Sequence, residues 1–387
     1  MRQKIAILGS TGSIGTTLLK IINKDKDNFE ILLLTAKKNY KLLIKQSKLF
    51  NVKNIIINDK KSFKILKKKL KNRKINVYNN FDDFNLIFKK KVDYVMSSII
   101  GLDGLEPTIN IIKYTKKIAI ANKEAIICGW NMINKELIKN NTKFVPVDSE
   151  HFSIWFALKN EPYNSVKELY LTASGGPFLN LPLNQFKKIR IKDALNHPNW
   201  KMGKKISIDS ATMMNKVFEV IEAKNIFNID YDKIFILTHP KSYIHAIVKL
   251  KNGLIKIIAH ETNMMIPIYN TIYDDSKKEV KSSNLDIDKL NNPKLNEINI
   301  KKYPLVNIFK KLPKKSSLFE TILVSANDEL VSLFLNSRIG FTDISRIFLK
   351  LINNKEFDKY KLKTPKKIDE ILNLNNYVRL KINSMGI

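Results

Sequence analysis

The first 150 residues of this 387-residue chain alternate short aliphatic runs with longer polar segments, and this alternation most strongly constrains the fold. Short, nearly continuous apolar runs are typical of strands buried on both faces, and the segments between them are long enough for helices. The pattern therefore predicts an α/β fold with a doubly wound parallel sheet. The runs are "KIAILG" (4–9), "EILLLTA" (30–36), "NIIIN" (54–58), "DYVMSSII" (93–100), "KIAIAN" (117–122) and "FVPVDSE" (144–150).

Beyond this region the pattern changes twice. Strand-like runs such as "ELYLTASGG", "KIFILTHP" and "GLIKIIAHE" predict a central α+β region, and helical periodicity from Tyr303 onward predicts a helical domain. The polar stretch between them has no periodicity and predicts a linking arm. The expected divisions are a dinucleotide-binding domain (1–148), a catalytic α+β domain (149–273) with a lid loop (197–205), the arm (274–299) and a C-terminal helical domain (300–387).

The composition limits the function classes. The formal charge of +32 is spread as lysines among aliphatic residues, and the densest run, Lys64 to Lys74, predicts a solvated amphipathic helix without aromatic residues for base stacking. We therefore expect no specific nucleic-acid partner, although the positive field favours anionic substrates. The Lys-, Ile- and Asn-rich composition is typical of an AT-rich genome.

The sequence also favours a cytoplasmic enzyme. No apolar run is long enough to span a bilayer, so no membrane association is expected. The chain enters a strand at Lys4, which predicts no signal peptide, and the single cysteine, Cys128, excludes a disulfide within one chain.

The stretch "ILGSTGSIG" places Gly9, Gly12 and Gly15 between a predicted strand and a predicted helix. Glycines in this context allow a pyrophosphate to approach the backbone at a helix N-terminus, which is the Rossmann-type arrangement, although a purely structural turn is the alternative. The second strand ends in Lys37, Lys38 and Asn39 instead of the carboxylate that usually binds the ribose of NAD. Lysines attract a 2′-phosphate, so NADPH is favoured over NADH.

Asp148 and Glu150 flank Ser149 where the last predicted parallel strand ends. Ligands bind at the carboxyl ends of strands in such sheets, which suggests a metal site. The alternative is an ordinary helix cap, because Asp and Ser are good N-cap residues and Glu suits a first helical turn.

The second region carries three further motifs. "TASGGPF" makes Ser174 part of a candidate anion loop, and "NHPNWKMGKK" predicts a mobile lid around His197, with Trp200 as its aromatic cover. "SIDSATMMNKVFEVIEA" places Ser210 at an expected helix start and puts Asn215, Lys216 and Glu219 on one helix face.

Each motif has a structural alternative. Ser210 could serve only as a cap, Lys216 and Glu219 could form only a surface pair, and the methionines are typical of a core. His239, His245 and His260 are expected to be structural, and His151 has no assigned role. His197 is the expected functional histidine because it lies in the predicted lid.

In order along the chain, "GSTGSIG", "ANKEA", "PVDSEH", "SGGPF", "HPNWKMG" and "DSATMMNK" closely resemble the 1-deoxy-D-xylulose 5-phosphate reductoisomerase family. The resemblance covers essentially the whole chain. It departs from the family pattern at Lys37, where the family has glycine, and at Asn196, where a basic residue is common.

The resemblance implies specific roles for residues in this sequence. Asp148, Glu150 and Glu219 match the ligands of one divalent cation, Mg²⁺ or Mn²⁺. Ser174, Ser210, Asn215 and Lys216, with His197 nearby, match the phosphate-binding set, and Lys123, Ser149 and Trp200 match other substrate contacts. The cofactor contacts implied are Thr11, Gly12, Ser13, Ile14, Lys37, Lys38, Asn39, Asn122, Glu124 and Gly203.

The resemblance further implies a metal-dependent rearrangement of a phosphorylated 2-ketose, followed by NADPH-dependent reduction to 2-C-methyl-D-erythritol 4-phosphate, in a homodimeric enzyme of isoprenoid precursor synthesis. Lys123, Asp148, Glu150, Glu219 and His197 are then the expected catalytic residues. Another NADP-dependent dehydrogenase of similar architecture, of the semialdehyde or homoserine type, is the alternative.

Overall fold

The computed structural model of the protein describes residues 2–71, 74–273 and 278–385. These residues divide into two compact units. The first unit comprises Met1–Ala125, Asn131–Phe152 and Met264–Val280, and the second comprises Ile126–Trp130, Ser153–Asn263 and Lys281–Ile387. These two units do not mark the four boundaries expected from the sequence, so the four divisions stay a prediction.

The secondary structure within these residues is numbered in chain order. The strands are β1 (Gln3–Leu8), β2 (Phe29–Ala36), β3 (Asn54–Ile57), β4 (Asn76–Tyr78), β5 (Val92–Ser97), β6 (Thr115–Ile120), β7 (Lys143–Pro146), β8 (Val166–Ala173), β9 (Ile234–Thr238), β10 (Ile244–Leu250), β11 (Ile255–Ala259) and β12 (Asn296–Glu297). The first helices are α1 (Ser13–Asn23), α2 (Tyr40–Leu49), α3 (Lys60–Lys69), α4 (Phe84–Ile87), α5 (Leu105–Ile112), α6 (Lys123–Lys139), α7 (Ser149–Ala157) and α8 (Ile191–Leu195). The others are α9 (Lys204–Ala211), α10 (Met214–Phe227), α11 (Met265–Ile272), α12 (Ile287–Asn291), α13 (Phe319–Leu335), α14 (Phe341–Ile352) and α15 (Ile368–Asn383).

In the described part of the first unit, seven strands form a sheet in the order β4-β3-β2-β1-β5-β6-β7, and all neighbouring pairs are parallel. This confirms the predicted α/β class. The six predicted aliphatic runs all contain strands, whereas β4 was not predicted because its three residues are only half-buried or exposed. The order of strands reverses between β1 and β5, and this reversal marks a topological switch point.

The core of this unit includes a helix from a distant part of the sequence. Ile268 and Ile272 of α11 are buried in the same cluster as Ile7, and the Tyr94 hydroxyl lies 2.7 Å from the Thr271 hydroxyl in the interior. Because α11 contacts α1 and the β5 residue Tyr94, residues 264–273 pack with the N-terminal strands, although the sequence placed them in the catalytic domain.

The described part of the second unit contains a five-stranded mixed sheet in the order β11-β10-β8-β9-β12. Only the β8–β9 pair is parallel within it. The expected strands in "ELYLTASGG", "KIFILTHP" and "GLIKIIAHE" are present, and β10 and β12 are additions. The C-terminal residues form α13, α14 and α15, as the periodicity predicted.

Two predicted segments fall partly outside the described residues. In the basic run, α3 ends at Lys69, and residues 72 and 73 are not described. In the arm, residues 274–277 are not described, and the rest contains the short α12 and β12. No helix among the described residues combines the length and apolar character needed to cross a membrane.

Candidate active site

The glycine loop lies at the switch point of the parallel sheet, directly after β1. Gly9 has a φ of +86°, and a Cβ there would lie 2.7 Å from the Ser98 carbonyl oxygen after β5. A side chain at Gly15 would collide with the loop backbone at 2.5 Å. The loop opens α1 at Ser13, so Thr11, Gly12, Ser13 and Ile14 surround a helix N-terminus whose dipole favours an anion.

The buried side chain of Gln46 fixes this loop, although no sequence pattern indicates this role. The Ser10 hydroxyl donates to Gln46 Oε1 at 2.8 Å, and Gln46 Nε2 donates to the Ser10 carbonyl at 2.9 Å. From the sequence alone, Gln46 looks like any solvent-exposed glutamine of an amphipathic helix. Its burial becomes visible only when α2 packs against the loop.

The residues after β2 have partners of their own. The Lys37 ammonium lies 2.6 Å from the Asp103 carboxylate, and both side chains are more than half exposed. Asn39 accepts a bond from the Leu42 amide and so caps α2. Lys38 accepts a bond from the Ser62 hydroxyl through its carbonyl oxygen. The loop backbone and the start of α2 are therefore set before any cofactor contact.

The start of α6, after β6, brings a lysine to the metal-site motif. Asn122 caps the helix by accepting from the Ala125 amide at 3.0 Å, and it donates to the Gly101 carbonyl at 2.9 Å. Lys123 and Glu124 follow in the first turn, and both are buried. The Lys123 ammonium lies 2.8 Å from Asp148 Oδ2, which joins the ends of two neighbouring parallel strands.

The motif after β7 forms both a helix start and a carboxylate cluster. Helix α7 begins at Ser149, and carboxylate oxygens of Asp148 and Glu150 lie within 4.8 Å of one another. Burial opposes ionisation of Asp148, but the charge of Lys123 and the contact with His151 outweigh burial and hold its pKa well below the usual value. The Ser149 hydroxyl donates to Glu150 at 2.6 Å. The two interpretations of the motif are thus compatible.

In the second unit, Ser174 and His197 form a polar pair at the end of β8. His197 Nδ1 accepts the backbone N–H groups of Asn199 and Trp200, at 3.2 and 3.0 Å, so a neutral ring carries its proton on Nε2. That N–H lies 3.0 Å from the Ser174 hydroxyl oxygen. Burial, and then the charge of Lys216, lowers the pKa of His197 to about 4, which keeps the ring neutral.

Within the described parts of the chain, the Ser174 hydroxyl accepts two hydrogen bonds and donates none. Its oxygen accepts from His197 and also from the Gly176 amide at 3.0 Å. With both lone pairs engaged, the hydroxyl proton is directed to another acceptor. This arrangement is suited to an anion.

The position of Ser210 corrects a sequence expectation. Ser210 lies in the last turn of α9, not at a helix start. The chain turns at Met213, whose φ of +63° interrupts the helical path, and α10 begins at Met214. A helix break at a methionine carries no glycine or proline signal, which is why the pattern did not reveal it.

Helix α10 carries the remaining predicted polar set on one face, as expected. Lys216 donates to Glu219 at 2.6 Å, and Asn215 donates to the other oxygen of Glu219. Lys216 and Glu219 are 6% and 1% exposed, so the surface-pair alternative is wrong.

The predicted lid has an irregular backbone between α8 and α9. Its last two residues, Lys204 and Lys205, belong to α9, and Gly203 precedes that helix in an extended conformation. The Trp200 ring lies 6.1 Å from His245, which stacks on His260 with ring centroids 3.7 Å apart. His239, the third histidine expected to be structural, accepts from the Tyr243 amide.

A glycine loop at the switch point of a parallel sheet, together with a unit that carries an anion-type loop, is typical of a dinucleotide-dependent oxidoreductase. The protein-family model of 1-deoxy-D-xylulose 5-phosphate reductoisomerase matches residues 5–129, and two family models of its C-terminal domains match residues 144–227 and 260–381. The reductoisomerase of Pelagibacter ubique is 60% identical over 387 residues, the full length of both chains. The chain belongs to the 1-deoxy-D-xylulose 5-phosphate reductoisomerase family.

Solved structures agree with this assignment. The reductoisomerase of Zymomonas mobilis in complex with NADPH superposes with a TM-score of 0.87 at 31% identity and covers 98% of each chain. A DOX-P reductoisomerase in complex with NADPH, fosmidomycin and magnesium gives a TM-score of 0.90 at 29% identity, covering 99% of this chain and 98% of the other.

Proposed function

We propose that this chain converts 1-deoxy-D-xylulose 5-phosphate into 2-C-methyl-D-erythritol 4-phosphate, with NADPH as the reductant and a divalent cation as a second cofactor. The full-length 60% identity to a reductoisomerase carries this proposal. The dehydrogenase alternative has no comparable support, because a simple hydride transfer does not need the set of carboxylates that the motifs supply.

The proposed ligands of the cation are Asp148, Glu150 and Glu219. The donor chemistry fits Mg²⁺ or Mn²⁺, which prefer carboxylate oxygens, whereas zinc favours His or Cys. Two observations support the set: Asp148 is held ionised by Lys123, and Asn215 and Lys216 fix the Glu219 carboxylate on α10. When bound, the cation polarises the ketose carbonyl, and NADPH supplies the hydride.

The proposed substrate contacts follow from the donors of each side chain. Ser174, Ser210, Asn215 and Lys216 would bind the phosphate, with a neutral His197 orienting the Ser174 hydroxyl. Lys123 would donate to a substrate oxygen as negative charge develops there, and Ser149 would hydrogen-bond the carbon backbone. Trp200 would cover the substrate and exclude water.

The proposed NADPH contacts are supported by the loop after β1 and by the residues after β2 and β6. The backbone from Thr11 to Ile14 would receive the pyrophosphate, and Lys37 and Lys38 would attract the 2′-phosphate. Binding through Lys37 would require exchange of its Asp103 partner for the phosphate. The remaining proposed contacts are Asn39, Asn122, Glu124 and Gly203.

A homodimer is also proposed. The described sheet of the second unit has an apolar, exposed region, in which Ile255 and Ile257 of the edge strand β11 are each more than half exposed. On β8 and β9, Tyr170 stacks on Phe235, which is also exposed. An exposed apolar edge of this kind is normally covered, and a second copy is the proposed partner. Light scattering that gives the mass of one chain at micromolar concentration would reject it.

A cytoplasmic location, in a bacterium with an AT-rich genome, remains part of the proposal. The Lys-, Ile- and Asn-rich composition supports the genome assignment. Fractionation of the source cells, with the protein followed by antibody, tests the location.

The deciding experiment is NADPH oxidation at 340 nm with 1-deoxy-D-xylulose 5-phosphate. We expect turnover that requires Mg²⁺ or Mn²⁺, is abolished by chelation and is inhibited by fosmidomycin. Activity on an amino-acid semialdehyde without any metal, and none on the ketose phosphate, would favour the dehydrogenase alternative.

A further inference from the structure

The loop that follows β8 has a backbone that only glycines tolerate well. Gly175 and Gly176 have φ angles of +82° and +67°, in the left-handed region. A Cβ at Gly175 would lie 2.6 Å from the Leu179 side chain, and one at Gly176 would lie 3.0 Å from the Ser210 carbonyl oxygen. Two successive glycines give the peptide plane between them unusual freedom to rotate, so its orientation depends on outside contacts.

A residue more than a hundred positions later supplies such a contact. The Tyr303 hydroxyl donates to the Gly175 carbonyl at 2.8 Å, and Tyr303 is 2% exposed. Its ring packs with Ala173, Met213 and Val306 in a small apolar cluster. The adjacent Lys302 donates to the Leu179 carbonyl at 2.7 Å, so the same segment contacts the loop at two points.

The bond from Tyr303 acts on Ser174 through one rigid peptide group. The Gly175 carbonyl and the Gly176 N–H belong to the same planar unit, so fixing the oxygen also fixes the direction of the N–H. That N–H donates to the Ser174 hydroxyl oxygen at 3.0 Å. Together with the bond between His197 and Ser174, it determines where the Ser174 proton points.

We propose that Tyr303 is a positioning residue for the Ser174 hydroxyl, and that it sets the affinity of this loop for a phosphate group by fixing the Gly175–Gly176 peptide. The proposal rests on the proposed function, in which Ser174 binds the substrate phosphate. Tyr303 itself touches neither substrate nor cofactor in this role.

The test is Tyr303→Phe in the full-length enzyme, which removes the hydroxyl and keeps the ring in its apolar cluster. We expect the KM for 1-deoxy-D-xylulose 5-phosphate and the inhibition constant of inorganic phosphate to rise together by about three- to tenfold, the range typical of one neutral hydrogen bond. The kcat and the Kd of NADPH should change less than about twofold by the same reasoning, because neither depends directly on the phosphate loop.

The matched control is Tyr231→Phe. It removes another buried tyrosine hydroxyl of the second unit, one with no hydrogen-bond partner among the described residues. We expect it to leave both phosphate constants unchanged. A Tyr303→Phe variant that melts at a lower temperature but keeps both constants would show that Tyr303 is only structural and would overturn the proposal, as would a change in the control of equal size.

Two further measurements keep the test decisive. If Tyr303→Phe does not fold, Tyr303→Leu takes its place, because it also removes the hydroxyl and keeps an apolar side chain in the cluster; unchanged phosphate constants in that variant overturn the proposal. Assays of the wild-type enzyme separate the proposed function from the role of Tyr303. If the wild type does not turn over the ketose phosphate, the proposed function is rejected. Calorimetry of inorganic phosphate binding to wild type and variant still tests the role of Tyr303, because it needs no turnover.

Discussion

The buried ion pair on α10 gives the sharpest quantitative prediction. Lys216 lies 2.6 Å from Glu219, and both side chains are almost fully buried. Lys216→Met keeps most of the aliphatic volume but removes the charge that compensates the Glu219 carboxylate. Breaking a buried pair from one side costs about 3–5 kcal/mol, because the remaining charge stays in a low-dielectric site.

This cost converts into a measurable shift in melting temperature. For a unit of roughly 150–250 residues, 1 kcal/mol lowers Tm by about 2–4 °C, so Lys216→Met should melt at least about 6 °C below wild type in scanning calorimetry. Lys216→Met combined with Glu219→Gln should recover a large part of the loss, since neither charge then remains buried alone.

The same variant can also be tested by measuring its Tm with and without a divalent cation. If Glu219 is a metal ligand, saturating Mg²⁺ supplies a positive charge and should raise the Tm of Lys216→Met by more than it raises that of wild type. The KM for the ketose phosphate should also rise in this variant, because Lys216 is a proposed phosphate contact. A Tm within 2 °C of wild type, in metal-free buffer, would refute the electrostatic reasoning outright.

Three further predictions concern separate parts of the site. Asp148→Asn should lower kcat by more than about a hundredfold, because mutating even the residues that support metal ligands lowers activity by about 10–100-fold. The Kd of NADPH, measured by fluorescence, should stay within a factor of about three. Parallel loss of turnover and NADPH affinity would contradict the assignment. Gly9→Ala should do the reverse and weaken NADPH first, because its φ of +86° and its approach to Ser98 leave no room for a methyl group; unchanged cofactor affinity would contradict this. His197 should titrate near pH 4 in NMR. Its contribution to the free energy of unfolding is then complete above pH 6.5 and falls as the pH drops toward 4, because the unfolded chain binds the extra proton first. A midpoint above 6 would show that the ring is not held neutral.

Much of the first unit follows from the sequence because burial on both faces makes a parallel strand nearly continuous in apolar residues. That pattern located six strands and, with the glycines after the first one, the cofactor-type loop. Strand β4 has no such run, because its residues are only partly buried at the edge of the sheet. Helix α11 packs in the core of the first unit, whereas the expected division at residue 273 groups it with the catalytic domain. A local apolar pattern does not say which core a helix joins.

The sequence also determined which residue types the site contains, whereas the tertiary structure decided their burial and their hydrogen-bond partners. Helical spacing alone put Asn215, Lys216 and Glu219 on one face, but only packing shows that the pair is buried rather than solvated. The end of α9 at Ser210 depends on a left-handed methionine that no local signal marks. The hydrogen bond from Tyr303 to the Gly175 carbonyl joins residues 128 positions apart, so it forms only once the chain has folded. The physical reason is that a hydrogen bond depends on distance and direction in space and not on separation along the chain.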